Sequence, residues 1–397
     1  MVDLRIGVIG FGLRAGLVEH AHRPGAGSRV VAVCDPRPER LAVAAERFGP
    51  GVALHRAAER LLADDLDAVF VLSPDHLHAE HAVAVLESGR AAYVEKPLEI
   101  TVAGCDRILA AAARTGGRVY VGHNMRHLPV VLAMRELIAA GAIGEVTAVW
   151  CRHFVGHGGD YYFTDWHADR SRSTGLLLQK GAHDLDVIHW LAGGYATTVT
   201  AMGGLTVYGR VTDRRAEPAP KDTYDHGTWP PLAQTGLNPV VDVEDLSMVT
   251  MALGNGTFAT YQQCHYTPDY WRNYTVIGTA GRLENFGDGP GAQVRVWDRR
   301  HRSYAPEPDH VVRIGPSAGG HGGADPAIVA EFLRFARDGG PTLTSPVAAR
   351  QAVATGCAAT DSLRAGGAPR VVEPLAAEVL AYFSGNADRG SPEKGDD

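Results

Sequence analysis

The chain has little of what marks extracellular, membrane or nucleic-acid-binding proteins. Its 397 residues hold five cysteines, Cys34, Cys105, Cys151, Cys264 and Cys357. An odd number at wide spacing argues against a disulfide framework and against a cysteine zinc site. No apolar run approaches the roughly 20 residues of a membrane-spanning helix. The opening MVDLRIGVIGFG enters a strand pattern at once, without the apolar core and cleavage site of a secretory leader. Charge is not concentrated either. The net charge of -7 is spread without blocks, so no basic surface suggests nucleic acid or an anionic membrane as partner. These absences leave a cytoplasmic protein with a small-molecule partner as the expectation.

What is present is ordinary globular material, 45% hydrophobic and 21% charged. At roughly 100–200 residues per domain, a chain of this length predicts two domains. From Leu4 to about Val121, short β-rich runs (LRIGVIG, RVVAVCD, DAVFVLS, AAYVEK, RVYVG) alternate with helical segments such as Glu39–Phe48, Ala79–Ser88 and Ala103–Thr115. Continuous apolar strands interleaved with amphipathic helices imply parallel βαβ units, hence a doubly wound sheet.

The first strand ends in GVIGFGLRAG. Gly10, Phe11, Gly12, Leu13 and Arg14 form a turn of the dinucleotide type, where missing side chains let the backbone approach a pyrophosphate. Ala15 takes the helix-packing place. The second strand ends at Asp35, the right distance on for a carboxylate that bonds the ribose hydroxyls and repels a 2′-phosphate, which favours NAD over NADP. Arg37 is placed either to clasp such a phosphate or to lie solvated at the helix entry. Ser73 and Pro74 lie at the carboxyl end of a strand, where open α/β sheets bind ligands, with His76 and His78 just after. A further strand delivers Glu95, Lys96 and Pro97 to the same edge; a lysine ending a buried strand suggests a ligand-facing group. Lys96-Pro97 is a candidate cis bond. Asn124 and Arg126 follow VYVG as candidates for the nicotinamide edge and the substrate.

After Gly144 the pattern becomes hairpin-like: EVTAVWCRHFVG, TTVTAMGGLTVYG, DLSMVTMALGNGTFATYQQCH and NYTVIGTAGRLENF alternate apolar with polar residues, with a turn at Gly254-Asn255-Gly256. One face of such a sheet can pack helices while the other meets a partner subunit. Residues 210–239 read as a long loop. Between a strand and the next helix, RHFVGHGGDYYFTDWHADRSRS crowds together His153, Tyr161, Tyr162, Trp166 and His167, aromatic faces and polar tips suited to a sugar. In QKGAHDLDVIHWLAGG a helix is expected from near Ala182, putting His183 in its first turn, where the positive end of the helix dipole disfavours imidazolium. Gln179 and Lys180 precede it. His153, His157, His183 and His189 show no compact ligand spacing, and no metal is expected.

With these motifs in order along almost the whole chain, the sequence resembles the glucose–fructose oxidoreductase / inositol dehydrogenase (Gfo/Idh/MocA) family. GVIGFGLRAG, SPDHLH, VEKPL, VGHNMR, GAIGEV, KGAHDLDVIHWLAGG and HGGADPAIVAEFL carry the likeness. The resemblance implies a Rossmann NAD-binding domain over 1–125 and a substrate-binding and oligomerisation α/β domain over 126–384. The second domain would have a large, open, mainly antiparallel sheet, with helices near 327–363 packing back on the first domain. Residues 385–397 read as a disordered tail, and the sheet implies a homodimer or homotetramer. The lysine and histidine that the family uses at the reacting hydroxyl map to Lys96 and His183. Where many members have an aspartate four residues before that histidine, this chain has Gln179.

Three functions follow as expectations. The first is hydride transfer between a sugar or polyol secondary hydroxyl and NAD. The second is a redox glycosidase that oxidises, eliminates, adds water and reduces, acting on a glycoside that Arg152, Arg170 and Arg172 would suit if it is anionic. The third is a sugar-sensing regulator without turnover, which has no need of Lys96 and His183 together.

Overall fold

The structure is a computed structural model that describes residues 2–219, 227–316 and 319–388, with side chains as far as 384. Two compact units emerge. The first takes Met1–His123, Asp325–Arg350 and Leu375–Asp397, and the second takes Asn124–Ala324 and Gln351–Pro374.

Six strands form the sheet of the first unit: β1 (Leu4–Ile9), β2 (Ser28–Cys34), β3 (Ala53–His55), β4 (Ala68–Val71), β5 (Ala91–Val94) and β6 (Val119–Val121). All pair in parallel, in the order β3-β2-β1-β4-β5-β6. The reversal of order at β1 is the place where doubly wound sheets open a ligand crevice. Every residue of β4 and β5 is buried, as expected for central parallel strands covered on both faces. The helix Val102–Thr115 shows why the covering elements form. Thr101 caps its start by accepting from the Gly104 amide at 3.0 Å, Cys105, Ile108, Leu109 and Ala112 supply its buried face, and Gly116 ends it at φ 65°.

The linear division near residue 125 is interrupted by the chain segment 325–350, which rejoins the first unit. The reason is apolar packing. Phe332 of the helix Ala324–Asp338 sits 4.9 Å from Phe70, 5.4 Å from Tyr93 and 5.6 Å from Tyr120, centroid to centroid. Burying one such ring is worth about 2–3 kcal/mol, and Ile328, Val329 and Leu333 join the same core. The boundary at Arg350 falls inside the helix Pro346–Arg364, so of the two late helices only 325–350 belongs with the first unit. The last helix, Ala377–Asp388, continues past the point where the sequence suggested a disordered tail; residues 389–397 lie outside the described residues.

Nine strands form the second sheet: β7 (Val146–Phe154), β8 (Ala196–Gly204), β9 (Leu246–Leu253), β10 (Phe258–Cys264), β11 (Trp271–Gly278), β12 (Gly281–Phe286), β13 (Gln293–Trp297), β14 (His310–Arg313) and β15 (Arg370–Val371). Their order is β14-β13-β12-β11-β7-β10-β9-β8-β15. All neighbours are antiparallel except β10 and β7. Alternation assigns two faces. Val149, Cys151 and His153 of β7 point inward, against the helix Gly181–Ala192, while Trp150 and Arg152 point outward. Within the loop expected over 210–239, the Arg215 amide donates to Leu237 O at 2.9 Å and the Leu237 amide to Asp213 O at 3.1 Å. Residues 220–226 of that loop lie outside the described residues. Among the described residues, no helix is long and apolar enough to cross a membrane.

Candidate functional site

In the first unit the candidate residues gather at the carboxyl edge of the parallel sheet. Gly10 has φ 88°, and a Cβ there would lie 2.6 Å from the Ser73 amide nitrogen, so both the dihedral and the space require glycine. The chain then turns into a 3-10 helix, Leu13–Ala21, in which Ala15 is buried. Asp35 reaches back from the end of β2. Its Oδ2 accepts from the Phe11 amide at 2.8 Å, and its Oδ1 accepts from the Arg37 amide at 3.0 Å and Arg37 Nε at 3.3 Å. The carboxylate thus fixes the glycine turn and holds Arg37 beside it.

Arg14 is engaged by protein carboxylates. Its Nε donates to Glu95 Oε1 at 2.6 Å, and its two terminal nitrogens face Asp325 at 3.1 and 3.2 Å. Burial alone would lower its pKa, but Glu95 and Asp325 outweigh this and raise it. Glu95 also accepts from the Lys96 amide. This ties the turn bearing Lys96 to the glycine-turn helix and to the segment entering at Asp325. Lys96 is half-buried, and its bond to Pro97 is cis.

His78 is fully buried and faces two carbonyls, Nδ1 to Pro97 O at 2.8 Å and Nε2 to Ser73 O at 2.9 Å. Burial lowers its pKa against the pull of both carbonyls. Its position makes it a tie between the Ser73 and Lys96 loops. Ser73 is buried, its Oγ 2.9 Å from His81 Nδ1; Pro74 is exposed and His76 half-buried.

In the second unit, the short helix Leu176–Gln179 leads through Lys180 into the helix Gly181–Ala192. Gln179 is buried, whereas Lys180 and His183 are half-buried. Asp184, the next residue, is fully buried and collects donors on both oxygens. Oδ2 accepts from His153 Nδ1 at 2.8 Å and Tyr261 OH at 2.9 Å; Oδ1 accepts from Tyr274 OH at 2.5 Å and lies 3.1 Å from Arg272 Nε. Burial alone would raise its pKa, but Arg272 and then His153 hold it well below the usual carboxylate range. Burial and then Arg272 lower the His153 pKa to about 3. Its Nε2 stands 3.4 Å from an Arg272 terminal nitrogen. His153 therefore sits in the packed layer between helix and sheet.

Arg126 is likewise committed within its own unit. It forms a buried bidentate pair with Asp186 at 2.7 and 2.8 Å and lies over the Trp190 ring at 5.1 Å. Asn124, two residues earlier, is buried. The aromatic crowding read from the sequence is real. Trp166 and His167 stack at 3.9 Å, Tyr161 and Tyr162 meet edge to face at 4.7 Å, and Lys180 Nζ lies 5.7 Å over the Tyr162 ring. Tyr162 and His167 are buried; Tyr161 and Trp166 keep part of their faces open. The roles of Asp184, Tyr261, Arg272 and Tyr274 were missed. The available signal was polar residues at inward strand positions, Tyr261 and Gln263 on β10 and Arg272 and Tyr274 on β11. Among the described residues no cluster of three His, Cys, Asp or Glu side chains could hold a metal ion.

A doubly wound sheet with a glycine turn, an acidic residue ending its second strand and a separate sheet-and-helix unit define the class of nucleotide-binding oxidoreductases. The chain belongs to the Gfo/Idh/MocA family: residues 4–123 match its NAD-binding Rossmann oxidoreductase domain and residues 131–284 its C-terminal domain. The Bacillus subtilis protein YteT is 25% identical over 351 residues, covering 77% of this chain and 82% of its own. A glycosyl hydrolase family 109 protein of Streptomyces coelicolor is 29% identical over 380 residues, covering 85% of this chain and 75% of its own. Inositol 2-dehydrogenase 1 of Saccharopolyspora erythraea is 33% identical over 202 residues, 50% of this chain and 57% of its own. In fold, a levoglucosan dehydrogenase with NADH and levoglucosan matches 94% of this chain and all of its own, with a TM-score of 0.75 and 20% identity. An aldose-aldose oxidoreductase from Caulobacter crescentus matches 93% of this chain with a TM-score of 0.71 and 19% identity.

Proposed function

We propose that the chain transfers hydride between a secondary hydroxyl of a sugar or polyol and the nicotinamide of NAD. The observation that supports this most is the placement of Lys96, half-buried two residues past the end of a wholly buried parallel strand and on the same sheet edge as the glycine turn. Gly10, Phe11, Gly12 and Leu13, a glycine turn directly after the first parallel strand, suit a pyrophosphate. Asp35 suits the ribose hydroxyls and opposes a 2′-phosphate, in favour of NAD over NADP, although Arg37 lies against it. Bound NAD supplies the hydride acceptor. Lys96 stabilises the developing alkoxide, and His183 accepts the hydroxyl proton. Gln179 orients the substrate or the histidine. Tyr161 and Trp166 offer partly open ring faces to the sugar, and Lys180 a charged tip.

A redox glycosidase, with net hydrolysis and NAD regenerated in each turnover, is the second reading. Similarity to a glycosyl hydrolase family 109 protein over 85% of the chain favours it. In either case the protein acts in the cytoplasm as a homodimer or homotetramer. The outward face of the second sheet supports that assembly, with Phe258 66%, Met202 62% and Trp150 50% exposed on one side. Replacing Lys96 with Ala, and separately His183 with Asn, tests the roles. Turnover should fall by about a hundredfold or more in each, with NAD affinity retained. Full activity in Lys96→Ala overturns the reading.

A further inference from the structure

We infer that Asp184 is a positioning residue for His183, and that the ring of donors around its carboxylate is the seat that fixes the first turn of the site helix. A carboxylate has about four acceptor positions; here it accepts hydrogen bonds from His153, Tyr261 and Tyr274, and the Arg272 guanidinium lies 3.1 Å away as an ion pair. His153 comes from β7, Tyr261 from β10, and Arg272 and Tyr274 from β11, so three strands converge on one side chain. The helix start has no side-chain cap of its own. What holds it is this seat, together with the Tyr261 ring. A Cβ on Gly181 would stand 3.1 Å from Tyr261 Cε1, so the same tyrosine that bonds Asp184 also sets the height of the first helical residue.

Successive helical side chains point about 100° apart. With Asp184 anchored to the sheet, the Cα–Cβ direction of His183 is fixed, turned aside from the sheet and half-buried. Two residues further on, the Asp186 pair with Arg126 holds a different side of the helix. Two carboxylates two residues apart thus fix both the depth of the helix and its rotation about its axis. Asp184 touches these four side chains and no reacting atom; its action on chemistry passes through the histidine beside it.

The inference rests on the reading of His183 as the proton acceptor, and the two can fail separately. The seat is measured without substrate, by carbethoxylation of individual histidines with diethylpyrocarbonate at pH 7, read by peptide mass spectrometry in the full-length protein. Asp184→Asn removes the charge that Arg272 faces. Tyr274→Phe removes one donor and leaves every charge in place, so it stays informative if Asp184→Asn does not fold. In each folded variant the rate at His183 should rise at least threefold, while His189, buried two turns along the same helix, stays unreactive. An unchanged rate at His183 overturns the inference. So does a joint rise at His183 and His189, since the carboxylate would then serve general helix stability alone. Turnover in His183→Asn tests the other reading independently: retained activity removes His183 as the base whatever the modification rates show.

Discussion

Histidines carry much of the pH behaviour, and most of the informative ones are buried. His189 is lowered to about 4 by burial and His153 to about 3, while His78 and His265 are lowered in the same direction. The unfolded chain takes up these protons near pH 6.5, before the folded one does. The stabilising contribution of these histidines is therefore complete above about pH 6.5 and is lost as pH falls; for His189 the loss runs down toward pH 4, with a slope of about one proton. Asp184, with its depressed pKa, adds to the loss only below about pH 4. His189 accepts from the Ala196 amide at 3.2 Å, a bond that a glutamine oxygen can replace. Urea titrations between pH 4.5 and 6.5 should show His189→Gln with a slope of stability against pH shallower by about one proton's worth. An unchanged slope would mean that His189 titrates alike in both states. At Gly10 the expectation is steric. Ala at φ 88° with backbone 2.6 Å away should cost several kcal/mol, about 3 or more, and abolish NAD binding as measured by fluorescence titration. Gly10 was legible because its reason is local. The partners of His78 and Arg126 were not legible, because a sequence shows a polar residue near a strand end but not where its side chain points.

Among the elements, the site helix shows what periodicity can and cannot deliver. Its existence and the first-turn place of His183 were legible from the apolar pattern and the glycine after it, and Gly193 ends it at φ 71°. Its attachments were not, because they come from residues 31 to 90 positions away along the chain, as with His153 and Tyr274. Arg126 tests the attachment directly. Its pair with Asp186 is almost wholly buried, so Arg126→Met leaves a carboxylate without its partner and should destabilise the second unit by about 3–5 kcal/mol. Denaturant unfolding would measure this. If the variant instead kept full stability and lost only substrate affinity, Arg126 would be a substrate contact after all. The segment 325–350 carries a parallel lesson. Its helical pattern was clear in the sequence, but its partners were not, since the aromatic rings around Phe332 come from β4, β5 and β6.

For the whole molecule, alternation in the second sheet predicts both an inner layer and an outer apolar face. Met202 of β8 pairs with Met248 of β9, and Trp150 and Phe258 lie on the same side. If the proposed homo-oligomer forms through this face, replacing Phe258 and Met202 with Glu should yield smaller species in light scattering, while a monomeric wild type would remove the proposed interface. The fold class was readable throughout because two periodicities, continuous apolar strands and then alternating ones, mark two kinds of sheet. The local structure around a motif was readable where its reason is local, as at the Gly10 turn with φ 88°. The most direct test of the proposed activity follows NADH and free aglycone together, with NAD and a panel of polyols, sugars and neutral and anionic aryl glycosides. The account predicts NADH growth without aglycone release, lost in Lys96→Ala. NAD-dependent aglycone release without net NADH would contradict it in favour of the redox glycosidase.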